Sequence, residues 1–131
     1  MNNQVRILVV DDEPEMCHLL IKQILKREGY QIDVSFSGIE ALQKIKSFNY
    51  HLLLTDLEMP EVDGIELTRK AKKQNPEIRV IMVAGNATVD ASIWSLRHRI
   101  DGYIRKPFNI SELRKVVRQT LCTHKIVLGK V

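Results

Sequence analysis

The 131-residue chain contains no apolar run that approaches a membrane span, which needs about 20 consecutive apolar residues. The amino terminus, MNNQVRILVVDDEPEM, ends its short apolar run in three acids. That is not a secretory signal, so a cytoplasmic protein is expected. Cysteine is scarce. Cys17 and Cys122 fall in helical patterns with no CxxC or metal-like neighbour, so both read as reduced thiols rather than a disulfide framework. The histidines His18, His51, His98 and His124 show no ligand spacing and read as surface or packing residues. The net charge is +4, yet no block of five or more Lys/Arg occurs. A solvated surface with some lysine excess is therefore the expected reading, and nucleic-acid binding is not. There is no P-loop, helix-turn-helix or zinc pattern.

What is present is a soluble globular composition, 44% hydrophobic and 27% charged, in a length that suits one domain with one core. VRILVV (5–10) is a β-branched apolar run that ends in acids and predicts a buried strand. Pro14 suits a helix first turn. Cys17, Leu20, Ile21, Ile24 and Leu25 follow at helical spacing up to Gly29. QIDVSF (31–36) alternates as a second strand, and Ser37-Gly38 opens a helix with Ile39, Leu42 and Ile45 on one face. HLLLTD (51–56) predicts a third strand. Asp63 with Glu66 three residues on resembles a capping box, and the helix carrying Ile65, Leu67 and Ala71 runs to about Gln74, where Asn75-Pro76 stops it.

IRVIMV (78–83) predicts a fourth strand, followed by the loop AGNAT and a helix around residues 88–99. GYIRK (102–106) predicts a short fifth strand. Asn109 and Glu112 cap a last helix with Leu113, Val116, Val117 and Leu121 on one face. Five successive β-α repeats imply an α/β doubly wound fold, a parallel sheet with helices on both faces. Residues 1–122 form the expected domain, and 123–131 (THKIVLGKV) a carboxy-terminal tail or truncated linker.

In such sheets ligands sit beyond the carboxyl ends of the strands where the winding reverses, between strands one and three for the order 2-1-3-4-5. Strand one ends in Asp11-Asp12-Glu13, strand three in Asp56, and strand five in Lys106-Pro107. An acid pair after a strand is often only a helix cap, and Lys106 alone would be a surface residue. Together, at three strand ends, they suggest more. Crowded carboxylates raise one another's pKa values, and a hard divalent cation relieves this. Mg²⁺ favours one or two carboxylates, waters and a phosphate oxygen. The layout suits capture of a phosphoryl group on Asp56 as an aspartyl phosphate, with Lys106 and the metal neutralising charge.

The stretches ILVVDDEPEM, LLLTDLEMPEVDGIEL, VIMVAGNA and GYIRKPF resemble the receiver domain of two-component response regulators over about residues 4–122. The resemblance implies a flavodoxin-like (βα)5 sandwich with a five-stranded sheet in the order 2-1-3-4-5. It implies Asp56 as phosphoacceptor, Asp12 as a direct Mg²⁺ ligand, Asp11 acting largely through water, and the Glu58 carbonyl as a further ligand. It makes Lys106 the lysine that contacts the phosphoryl group, joined to Pro107 by a cis peptide, and leaves the Gly85 backbone N–H as a phosphoryl donor. Met59-Pro60 and Asp63-Gly64 resemble the loop that supports the site. A Ser or Thr usually ends the fourth strand of the family; here Ala84 stands there. That removes a hydrogen bond to a charged group, worth roughly 1.5–3 kcal/mol. Thr88, four residues on, falls at the expected start of the next helix rather than at the strand end. Tyr103 matches the family's switch aromatic, but its hydroxyl-bearing partner is missing. Glu58 and Asn86 hold positions that tune dephosphorylation in the family.

The family's output face is built from the fourth helix, fifth strand and fifth helix. Here that stretch carries Trp94, Arg97, His98, Arg99, Tyr103, Arg105, Arg114, Lys115 and Arg118. It implies a downstream partner or a homodimer, with packing of Trp94 and solvated arginines as the plainer reading. The implied phosphate donor is a sensor histidine kinase or phosphotransfer protein, and no direct nucleic-acid or membrane partner is expected. No output domain follows, so the chain reads as a stand-alone receiver or one trimmed before its output. With a start at Met1, the receiver is expected to be amino-terminal in its gene product.

Three alternatives remain at this stage. A degenerate receiver used as a binding module is suggested by Ala84. An aspartyl-phosphate phosphatase usually has a second Asp two residues after the nucleophile, where Glu58 sits. A flavin or nucleotide carrier would need a Gly-rich first turn, which is acidic here.

Overall fold

The computed structural model describes residues 4–13, 21–22, 25–85 and 99–130, with side chains through residue 122. Five strands form one parallel sheet: β1 (Arg6–Val10), β2 (Gln31–Ser35), β3 (Leu52–Asp56), β4 (Arg79–Ala84) and β5 (Gly102–Arg105). Their order is β2-β1-β3-β4-β5, so the winding reverses between β1 and β3 as expected. The predicted strand ends hold to within one residue. The described helices are α1 (Gly38–Ser47), α2 (Gly64–Gln74) and α3 (Ile110–Lys130). Residues 21–22 and 25–27 are also helical. The helix expected around 88–99 lies almost wholly outside the described residues.

Each described helix starts where its sequence offers a cap. The Ser37 hydroxyl accepts the Glu40 N–H at 3.1 Å, the Asp63 carboxylate accepts the Glu66 N–H at 2.9 Å, and the Asn109 amide oxygen accepts the Glu112 N–H at 2.8 Å. Glu66 turns outward to Lys70, 3.2 Å away, so Asp63 supplies the box-like contact. At Gly29 the backbone is left-handed, φ 88°, as suits a glycine closing a helix. α3 continues as helix through the segment read from sequence as tail or linker. THKIVLGK contains no proline to stop it.

The period of two along each strand divides the core into two layers. Ile7, Val9, Leu54, Ile81, Val83 and Ile104 face Leu113 and Val117 of α3, with Ile21 and Leu25. Leu8, Val10, Leu53 and Val80 face Ala41 and Ile45 of α1 and Leu67 and Ala71 of α2. Both faces are covered, which is why the strands read as unbroken apolar runs. Full burial of each such side chain contributes about 1.5–3 kcal/mol. Anchored in this way, β1, β3, β4 and β5 bring their carboxyl ends, and the polar residues that follow, to one edge of the sheet.

Candidate functional site

Asp56 is the last residue of β3, and its neighbours fix the backbone around it. The buried Thr55 hydroxyl donates to the Asp56 carbonyl at 2.9 Å. The Leu57 N–H donates to the Val83 carbonyl at 2.8 Å, and the Gly64 N–H to the Leu57 carbonyl at 2.8 Å. A Cβ on Gly64 would lie 2.4 Å from the Asp56 carbonyl oxygen and 2.8 Å from Met82 Sδ. Only glycine permits α2 to start this close to the strand, as the Asp63-Gly64 pair suggested.

Three carboxylates converge. One oxygen each from Asp11, Asp12 and Asp56 lies within 4.8 Å of the others. Asp11, 6% exposed, is held in place by its own loop: its Oδ1 accepts the Glu13 N–H at 3.0 Å, and its N–H donates to the Ser35 carbonyl. Lys106 reaches across from the end of β5, with Nζ 3.3 Å from Asp56 Oδ2. Its N–H donates to the Ala84 carbonyl at 2.8 Å, and the Lys106–Pro107 peptide is cis. Burial pushes the Asp56 carboxyl up to about 6; Lys106 draws it down, while Asp11 and then Asp12 add to the rise. Burial and like charge therefore outweigh the one cation. All these donors are hard oxygens, the set a small divalent cation prefers.

Ala84 is 1% exposed and packs with Leu57 and Met82, with Tyr103, Ile65 and Ile100 against them. Its methyl group offers no hydrogen bond. Gly85 is exposed beside the Lys106 stem, 3.6 Å from Lys106 Cβ to an added Cβ. Glu58 is exposed in the turn after β3, and Arg105 is exposed on β5. Asn86, Thr88, Trp94, Arg97 and His98 lie outside the described residues. Sequence reasoning missed the apolar support of the site: Phe108 and the buried Ile21 line a gap of about 10 Å³ that Asp56 and Lys106 share. Phe108 carried a signal, since it follows Lys106-Pro107 directly.

A family model described as the response regulator receiver domain matches residues 7–118. Among curated proteins, the chain is 34% identical over 116 residues to response regulator ArlR of Staphylococcus aureus, covering 88% of this chain and 52% of that protein. It is 33% identical to transcriptional regulatory protein ZraR of Klebsiella oxytoca, covering 90% of this chain and 26% of the relative. The chain thus spans about half or less of these relatives. A CheY-like receiver domain protein from Methanospirillum hungatei superposes with a TM-score of 0.85 at 36% identity, covering 93% of this chain and 97% of that one. Response regulator protein TrrA of Thermotoga maritima, solved with Mg²⁺ and BeF, gives 0.79 at 38% identity, covering 90% of this chain and all of that one.

Proposed function

The chain belongs to the response regulator receiver family, a signalling fold of the flavodoxin-like, CheY-like type rather than a classical enzyme, and from that premise we propose that Asp56 is its phosphoacceptor. One observation carries the reading: Asp11, Asp12 and Asp56 place oxygens within 4.8 Å of one another, and Lys106 Nζ stands 3.3 Å from Asp56. A carboxylate at a strand end is common; one facing two acids and a lysine from two other strand ends is not explained by capping.

The donor set fits Mg²⁺. Asp12, Asp56 and the Glu58 carbonyl would hold it, with Asp11 acting largely through water. When bound, it would neutralise charge on the oxygens of a transferring phosphoryl group. The Thermotoga relative, crystallised with Mg²⁺ and BeF, supports the assignment. In the transfer an Asp56 carboxylate oxygen forms the new bond to phosphorus as the donor's bond breaks, its electron pair leaving with the donor. Lys106 turns its ammonium to the phosphoryl oxygens, and the Gly85 N–H donates to one of them. Phe108 and Ile21 pack in the apolar layer on which the site rests. The donor is a sensor histidine kinase or phosphotransfer protein. The only chemistry catalysed is the domain's own phosphorylation and dephosphorylation. We assign residues 1–122 to the receiver unit. We assign output to Tyr103, Arg105 and α3, toward a downstream protein or a second copy; Trp94, expected with them from the sequence, lies outside the described residues.

Ala84 favours a second reading, a phosphorylation-independent binding module. Intact-protein mass spectrometry after acetyl phosphate and Mg²⁺ separates the two. A single phosphoryl adduct on the native chain and none on Asp56→Asn is expected. No adduct, together with unchanged NMR shifts under beryllofluoride and Mg²⁺, would establish the binding module instead.

A further inference from the structure

A second cavity lies at the opposite edge of the sheet, under the amino ends of the strands. Its volume is about 550 Å³, within the roughly 300–1,000 Å³ of small-molecule sites. α3 forms one wall with Leu121, and Tyr30 and His51 contribute flat rings, while Tyr50 behind them is only 2% exposed. Asn75 stiffens the floor: its side-chain nitrogen donates to the Tyr50 carbonyl, and its oxygen accepts the Glu77 N–H.

Two charges meet there. Arg79, half-buried at the start of β4, lines the cavity, and its guanidinium has no ion pair among the described residues. A half-buried guanidinium with no ion pair has its hydrogen-bond donors open to an anionic partner. Glu77 lines the same cavity from an exposed position. Arg79 and Glu77 form no ion pair with each other, so Arg79 keeps its charge for a monoanion, while the exposed Glu77 carboxylate in the same cavity repels a polyanionic phosphate. A planar guanidinium matches a carboxylate through two parallel hydrogen bonds. His51 adds a donor. Its Nδ1 accepts the Arg6 N–H at 3.0 Å, which leaves the proton of the neutral ring on Nε2.

We infer that this cavity binds a small flat organic carboxylate, its acid group on Arg79 and its ring between Tyr30 and His51. Neither the acidic site nor its phosphorylation enters into this, so the proposal stands or falls independently of the function assigned to Asp56.

The test is an amide NMR titration of the full chain with benzoate, and with inorganic phosphate in parallel. Saturable millimolar shifts are expected at Tyr30, His51, Arg79 and Leu121 with benzoate but not with phosphate. Arg79→Gln should weaken benzoate binding roughly tenfold. Arg79→Lys, which keeps the charge and loses the fork, should fall between, and it carries the test should the glutamine variant not fold. Absent or unsaturable shifts at those amides, equal shifts with phosphate, or undiminished binding by both variants would overturn the proposal.

Discussion

At the scale of single residues, Asp56 makes the acidic site costly to the fold. Its folded carboxyl titrates at about 6 against an ordinary 3.8, with burial the largest cause. The folded state therefore prefers the protonated form. The cost is absent below the unfolded value, appears as pH rises from about 4 to 6, and is complete above that. The shift corresponds to about 3 kcal/mol at 1.36 kcal/mol per unit. Asp56→Asn, without divalent cations, should therefore be more stable than the native chain at pH 7.5 by up to that amount, in which the pull of Lys106 is already counted. Urea midpoints at pH 7.5 and pH 4 check this, and the gap should shrink toward the lower pH. Equal midpoints at pH 7.5 would overturn the expectation that burial and like charge outweigh Lys106. Ala84 makes the complementary case. Ala84→Ser places a hydroxyl among Leu57 and Met82, where a buried donor without a partner costs about 1–3 kcal/mol. On the proposed phosphorylation of Asp56, the same hydroxyl is expected to gain a charged acceptor. A lower urea midpoint is expected together with roughly tenfold faster accumulation of the acetyl phosphate adduct. An unchanged rate would show that the hydroxyl is not what limits this receiver.

At the scale of elements, the tightest joint is the one between β3 and α2. Gly64→Ala would bring a methyl group against the Asp56 carbonyl oxygen and the Leu57 Cα, at 2.4 and 2.9 Å. Backbone atoms yield less readily than a side-chain tip, so a loss of about 2–4 kcal/mol in urea unfolding is expected. Phosphorylation should fall as well, since the contact displaces Asp56 itself. This joint was legible in the sequence as Asp63-Gly64 after Met59-Pro60. So were the strands, because burial on both faces leaves unbroken apolar runs such as LLL before Asp56. The caps Ser37, Asp63 and Asn109 were legible because capping is local. Convergence of Asp11, Asp12, Asp56 and Lys106 followed from strand order, which places strand ends but not side-chain distances. The depth of Asp56, the apolar support from Phe108 and Ile21, and the Arg6 N–H bond to His51 depend on contacts between residues far apart in the chain. No local pattern encodes those.

At the scale of the whole molecule, the sheet has two polar ends with opposite characters. The carboxyl end gathers acids whose mutual repulsion disfavours the fold. The amino end gathers contacts that support it. Arg6 Nη2 lies 3.1 Å from Asp33 Oδ2, and the Tyr50 hydroxyl donates to the same oxygen at 2.6 Å. The Arg6 guanidinium also sits over the Phe48 ring, 4.3 Å from its centroid, and 5.3 Å from that of Tyr50. Burial, then the bond to Asp33, raises the Tyr50 phenol above its ordinary value. The cluster ties β1 and β2 to the segment that leads into β3, the three strands that carry or flank the acids. Arg6→Met keeps the apolar stem and removes the cation, leaving half-buried Asp33 with Tyr50 alone. A loss of about 1–3 kcal/mol in urea unfolding is expected. The rate of adduct formation on Asp56 should stay within about twofold, because stability added at one end of a rigid sheet need not alter chemistry at the other. A fall in that rate matching the loss of stability would instead mean that β1, which runs from Arg6 straight to Asp11, transmits strain between the two ends. In that event occupancy of the cavity beside Arg79 would be expected to modulate the phosphorylation of Asp56.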